Sequence, residues 1–193
     1  MAHLRIRKPE FNVRAKLNEL DYGHVPYHKM PPGSIIQTVV RTTTTQTNIT
    51  DTPYVLTDIY CTICPKLQSS KILIMVSGGM NGMAGGTSGN YTVLAAKVFR
   101  KNADSIAGGS YETIKGDGTD DVGVNSMGTQ GHMRTHLPPN VYVPMSINLI
   151  DKPKTTKRIT YAVFGSRASG DSTVSFVRDS NNQAQMVLME IKQ

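Results

Sequence analysis

The chain has 193 residues, of which 38% are hydrophobic, 18% charged and 6% aromatic, with no tryptophan and a net charge of +7. No apolar run approaches the roughly 18 residues that a transmembrane helix needs, so we expect no membrane insertion. The amino terminus, MAHLRIRKPEF, is charged and lacks the apolar core of a secretory signal, which predicts assembly in a cytoplasm. The abundance of Thr, Ser, Gly and Asn is typical of β-rich domains with hydroxyl-bearing surfaces.

Residues 1–33 differ from the remainder and are predicted to form an N-terminal anchoring arm. They lack sustained periodicity and end in Pro31-Pro32-Gly33, which blocks helix continuation. We expect the arm to become ordered against a partner, because it has too little apolar content to fold alone. Nucleic-acid readers concentrate more charge with stacking aromatics, so we expect an acidic protein partner and no nucleic acid. The cations predicted to contact that partner are Arg5, Arg7, Lys8, Arg14 and Lys16.

Residues 34–193 are predicted to form one all-β domain, an antiparallel β-sandwich or jelly-roll-like knob. Period-2 patterns rich in β-branched residues recur between polar turns, and no convincing helical pattern follows residue 34. The threonine-rich stretch RTTTTQTNIT (41–50) is predicted to continue the first strand, since threonine is β-branched. The eight predicted strands are 34–45, 54–64, 69–79, 90–102, 141–151, 157–166, 172–180 and 184–193.

The alternation also predicts which residues of the strands share a face. Ile59, Cys61 and Ile63 share one face, and the nearly continuous apolar run SSKILIMVSGG predicts a strand covered on both faces. Segment 90–102 places Tyr91, Val93, Ala95 and Phe99 on one side. In 141–151 the inward residues are predicted to be Val141, Val143, Met145, Ile147 and Leu149, with Pro144 marking an edge or bulge.

Two long insertions, 78–90 and 105–140, are predicted to be exposed or intersubunit loops, the second with one or two irregular strands. The first is glycine-rich and follows a strand, but it lacks the Gly-Lys-Ser/Thr of a phosphate-binding loop.

Several clusters could in principle bind a metal. Asp117, Asp120 and Asp121 could hold calcium, although Gly128 replaces the bidentate Glu of an EF-hand, and a solvated acidic turn is the preferred interpretation. His132 and His136 share the i, i+4 spacing with His24 and His28, but both stretches are predicted to be loops. Cys61 and Cys64 form a C-x-x-C that we interpret as small packing residues, over a disulfide or zinc site. We therefore predict no cofactor, with the three aspartates and His132 or His136 as the remaining metal candidates.

No G-x-S-x-G or other nucleophile arrangement can be inferred, so we expect no enzymatic activity. Paired carboxylates for glycoside cleavage remain an alternative, because their pairing is spatial.

The order of the strand sequences resembles a domain of bacteriophage virion proteins, common in tail-fibre-like and appendage proteins of phages of marine bacteria and cyanobacteria. The segments that carry the resemblance are TDIYCTICPKLQSSKILIMVS, VFRKN, SINLIDKPKTTKRITYAVFGS and the terminal MVLMEI, over roughly residues 32–193. Cys64 stands where Thr is usual in that family, and Leu149 where Phe is usual.

The resemblance implies a non-catalytic, homotrimeric β-sandwich knob located in the virion. We expect a short tail fibre or appendage, joined to neighbouring tail or capsid proteins through residues 1–33 and able to contact a host surface glycan. One alternative is a capsid decoration protein that ties major capsid subunits together. A second alternative is a carbohydrate-binding module or a glycan-cleaving enzyme.

Overall fold

The computed structural model describes residues 26–50, 54–82, 92–102, 110–114, 132–137, 142–169, 173–177 and 182–193. A single 3₁₀ turn, Tyr27–Lys29, precedes the strands in this part of the chain. The strands are β1 (Ile35–Thr43), β2 (Thr47–Ile49), β3 (Val55–Ile63), β4 (Lys71–Gly82), β5 (Thr92–Lys101), β6 (Glu112–Thr113), β7 (His132–Leu137), β8 (Tyr142–Asp151), β9 (Ile159–Ser169), β10 (Val174–Phe176) and β11 (Ala184–Ile191).

The strands form two antiparallel sheets, as the sequence predicts. Sheet A has the order β1-β11-β4-β10-β2, and β8 pairs with the other side of β4. Sheet B has the order β3-β9-β5-β6, with β7 also on β5. Because β11 and β10 pair with successive parts of β4, the short β10–β2 ribbon continues the β11–β1 ribbon towards one end of the sheet.

The core lies between the two sheets and consists of the inward residues of alternating strands. Ile59, Cys61 and Ile63 are all buried, which confirms the predicted face of β3. Met145, Ile147 and Leu149 are likewise buried, and Val143 packs against them. Val141 lies outside the described residues. Among the described residues β8 pairs with β4 alone, so the predicted edge position of Pro144 is confirmed.

The structure corrects the predicted burial of β4 and shows which side of β5 faces the core. In β5 the core residues are Ala96 and Val98, whereas Phe99 lies on the outer side, 4.8 Å from Phe164 between ring centroids. In β4, Ile72, Ile74 and Val76 are buried while Leu73 and Met75 are half-buried, so the strand is fully covered on one face. The pattern of apolar residues in the sequence does not show which face of β4 or β5 is directed towards the core, because both faces of each strand carry apolar residues.

The threonine-rich stretch forms two strands where the sequence predicts one. β1 ends at Thr43, whose buried hydroxyl donates to Asp58 Oδ2 and accepts from the Thr45 backbone nitrogen at 3.1 Å. β2 starts at Thr47, whose Oγ1 accepts from the Asp58 backbone nitrogen at 3.3 Å. The threonine hydroxyls therefore stabilise a turn around Asp58, and the chain then pairs with β10 instead of β11.

Gly165 of β9 lies where the two sheets approach closely. A Cβ at this position would lie 2.2 Å from both Ile49 Cδ1 and Phe176 Cε2, so glycine allows these side chains to fill the core.

Candidate functional site: two ends of the sandwich

A buried carboxylate organises the loop between β3 and β4. Glu190 of β11 is fully buried and accepts hydrogen bonds from Lys66 N (2.8 Å), Leu67 N (3.0 Å), Ser70 Oγ (2.7 Å) and Gln37 Nε2 (2.6 Å). An ionised carboxylate has the acceptor capacity for all of these donors. Glu190 therefore ties the backbone of this loop to sheet A.

A second buried carboxylate joins the two sheets near the same end. Asp151 of β8 accepts from Arg100 Nη1 of β5 at 3.0 Å and from the Tyr161 hydroxyl of β9 at 2.8 Å. Burial raises the pKa of Tyr161 well above its ordinary value, and the Asp151 carboxylate raises it further. The phenol therefore stays protonated and acts as a hydrogen-bond donor.

Among the described strands, β3 pairs with β9 on one edge only, and side chains from β1 cover its other edge. Arg41 Nη1 donates to the carbonyls of Asp58 at 2.5 Å and Tyr60 at 3.3 Å, while its Nη2 bonds the Asp58 carboxylate at 3.2 Å. Its guanidinium also stacks 3.5 Å from the Tyr60 ring centroid. Gln37 Nε2 donates to Cys64 O at 2.6 Å. These bonds occupy carbonyls that would otherwise be available to a strand of another chain.

The chain enters the sandwich at the end where β11 finishes. Gly33 N donates to Lys192 O at 2.8 Å, and Lys192 N donates to Ser34 O at 2.9 Å. Lys192 Nζ donates to His28 O at 2.8 Å and also to Met30 O. Residues 26–33 of the predicted arm are therefore held by the body of the same chain.

A groove of about 490 Å³ lies towards the other end, where β4 finishes and β8 begins. Tyr142 is 45% exposed there, and a Cβ added to Gly79 would meet no atom within 4 Å. The described residues that line it carry no charge: Gly78, Gly79, Tyr142, Val143, Pro144, Asn182 and Gln183.

The structure places the predicted site residues as follows. The arm cations Arg5, Arg7, Lys8, Arg14 and Lys16 and the aspartates Asp117, Asp120 and Asp121 lie outside the described residues.

His132 and His136 lie in strand β7, opposite Lys97 and Val93 of β5, so their prediction as loop residues is wrong. In a strand, residues four apart are about 13 Å apart, too far to bind one metal within a chain. Among the described residues, no group of three His, Cys, Asp or Glu side chains could hold a metal ion.

The two cysteines are free thiols, with Cys61 buried in the core and Cys64 half-buried. The packing role predicted for Cys61 is confirmed.

Sequence reasoning did not assign roles to Asp151, Glu190, Arg100 or Tyr161. A signal was present for the two carboxylates, because each occupies the inward parity of an apolar strand, in INLID and VLMEI respectively. A charged residue at such a position is rarely buried without partners. The identity of those partners could not be read from the local sequence.

The described part of the chain contains no helix long and apolar enough to span a membrane. No known family model matches this chain, and no curated protein matches it.

Proposed function

We propose that this chain is a non-enzymatic structural protein of a phage virion, a β-sandwich knob attached by its N-terminal arm as a short tail fibre or appendage. The observation that carries the proposal is the separation of two features. The arm joins the body at the Lys192 end, and the uncharged groove lies towards the opposite end. Such a molecule can bind a particle through one end and present the other to a host surface.

The groove supports contact with a neutral host glycan. An exposed tyrosine ring offers a face for a sugar ring, and the amides of Asn182 and Gln183 can both donate to and accept from hydroxyls. The absence of charge among the described lining residues disfavours charged ligands.

The outer face of sheet A supports association with further copies of the chain, in the proposed homotrimer. Val40, Val187, Met75 and Asn148 lie side by side across β1, β11, β4 and β8. The neighbouring rows are Thr38, Met189, Leu73 and Ile150, and Thr42, Gln185, Ser77 and Ser146. None of these twelve side chains is charged, so no like charges would face each other if copies of the chain met at this face. Light scattering on the purified chain should give the mass of three copies.

The experiment that tests the proposal is immunogold electron microscopy of particles, with antibody raised against residues 34–193. Gold at the tail is the expected result. Gold spread over the head would favour the capsid decoration protein, with the arm as its clamp. Unlabelled particles, with accessible epitopes verified on the free protein, would contradict both.

A further inference from the structure

Lysine and arginine side chains concentrate at the end of the sandwich where the arm enters. Three described segments meet at this end: the entry at 26–34 with the end of β11, the β3–β4 loop and the β8–β9 loop. We call the following set the basic end: Lys29, Lys66, Lys71, Lys152, Lys154, Lys157, Arg158 and Lys192.

The carboxylates in these segments do not neutralise the basic end. Asp151 and Glu190 are 1% and 0% exposed, and both are engaged by internal donors. Lys66, Lys71, Lys154 and Lys157 form no ion pair with a described residue. These four lysines therefore present a positive field to a partner.

The lysine-bearing loops are fixed in position before any partner arrives. Glu190 holds the backbone of Lys66 and Leu67, and Gln68 Nε2 donates to Lys154 O at 3.2 Å, which joins the two loops. Lys154 itself adopts a left-handed backbone, with φ of 52°. A pre-organised set of charges loses less conformational entropy on binding than a flexible one.

We infer that the basic end is a docking surface for an acidic protein. The inference rests on the proposed attachment through the arm, and it extends the binding residues from the arm to the folded body. The described chain begins at Pro26 on this same end, and the preceding arm sequence contains Arg5, Arg7, Lys8, Arg14 and Lys16.

The composition of the basic end favours carboxylates over nucleic acid as its ligand. Seven of its eight cations are lysines, which act as point charges, whereas phosphate and base recognition favour the arginine fork and aromatic stacking. Among the described residues of this end, Tyr27 is the exposed large aromatic, at 39%.

The test is the affinity of the full-length chain for poly-L-glutamate, measured by fluorescence anisotropy across a salt series. The test variant is Lys66→Gln/Lys154→Gln/Lys157→Gln, and the control is Thr44→Glu/Thr45→Glu/Gln46→Glu in the turn between β1 and β2, at the opposite end of the sandwich. All six positions are exposed, and each triple change lowers the net charge from +7 to +4. We expect about a tenfold loss of affinity at low salt for the lysine variant, and at most about a threefold loss for the control. Equal melting temperatures verify the folding of both.

Equal losses in the two variants would overturn the inference, because binding would then depend on net charge alone. Tighter binding to a DNA duplex than to poly-L-glutamate of equal charge, lost in the lysine variant, would overturn the choice of an acidic protein. The assay needs no particles, so it is independent of immunogold labelling. A selective loss in the lysine variant would support the surface even if the particles were unlabelled and the virion role had failed.

Discussion

At the scale of single residues, Glu190 and Asp151 show how this sandwich accommodates buried charge. Each carboxylate is removed from water at a large desolvation cost, which several charge-assisted hydrogen bonds offset. Glu190 fixes a loop and Asp151 connects the sheets, so both act on the shape of the end where the arm joins.

Stability at high pH should depend on the Tyr161 hydroxyl. The pKa of Tyr161 is raised by burial and by Asp151, so the folded chain keeps this proton at pH values where the unfolded phenol, with its ordinary value of 10.0, loses it. The stabilising contribution is therefore complete below that value and is lost as pH rises towards the folded pKa. We expect the unfolding free energy of the wild type to fall more steeply than that of Tyr161→Phe above about pH 10, by up to about 1.4 kcal/mol per pH unit.

Urea denaturation at several pH values measures this difference. Tyr27→Phe is the control, because Tyr27 is exposed and should leave the slope unchanged. Parallel curves for the wild type and Tyr161→Phe would show that the buried phenol does not couple folding to pH.

The two thiols should differ in reactivity. Burial raises the pKa of Cys61, against smaller lowering effects of the Thr62 backbone and Arg41, and its side chain is 2% exposed. Cys64 is half-buried. At pH 8 we expect iodoacetamide to modify Cys64 at least about tenfold faster than Cys61, as followed by peptide mass spectrometry. Cys64→Ser should then leave a chain that resists alkylation until it unfolds, and rapid labelling of that variant would contradict the burial of Cys61.

At the scale of elements, the exposed edge of β3 is closed by side chains rather than by another strand. Arg41 and Gln37 of β1 donate to carbonyls of Asp58, Tyr60 and Cys64, which joins sheet A to sheet B along one side. The turn between β1 and β2 is set by the same Asp58, so the threonine-rich segment both ends one strand and starts another. Strand boundaries here depend on hydrogen bonds from a neighbouring strand.

The close approach of β9 to β2 and β10 should make Gly165 intolerant of any side chain. Its added Cβ would lie 2.2 Å from Ile49 and from Phe176, whereas an added Cβ at Gly79 has open space. We expect Gly165→Ala to lower the free energy of unfolding by about 2–3 kcal/mol, and Gly79→Ala to change it by less than about 0.5 kcal/mol. Urea titrations of the two variants provide the comparison. A stable Gly165→Ala chain would mean that β9 lies farther from the sheet A core than described.

At the scale of the whole molecule, the two ends of the sandwich differ in charge. Lysines and the arm junction occupy one end, and an uncharged groove with an exposed tyrosine lies towards the other. The hydrogen bonds accepted by Glu190 and Asp151 lie nearer the basic end and hold its loops in position. Both proposals depend on this difference in charge between the two ends.

Two truncations should separate the arm from its junction with the body. Removal of residues 1–25 should abolish incorporation into particles and leave the melting temperature within about 2 °C, since the described bonds of Lys192 remain. Removal of residues 1–33 also deletes the acceptors of the Lys192 ammonium and should destabilise the body by about 1–3 kcal/mol. Calorimetry and particle composition provide the two measurements. Normal incorporation of the chain that lacks residues 1–25 would show that the arm is not the anchor.

The sequence alone determined the all-β class, the positions of eight strands and the inward faces of β3 and β8. These features depend on period-2 alternation and β-branched residues, which are local properties of the chain. The faces of β4 and β5, where both sides are apolar, could not be assigned in this way.

Only the tertiary structure decided which strands pair, where the threonine-rich segment turns and which donors meet the buried carboxylates. Ser70 and Glu190 are 120 residues apart, and Thr57 donates to Val163 across 106 residues. No local pattern specifies such partners, because they are brought together by sheet register and core packing. The basic end follows the same rule: its lysines are dispersed from Lys29 to Lys192 in the sequence and become one surface when the strand ends meet.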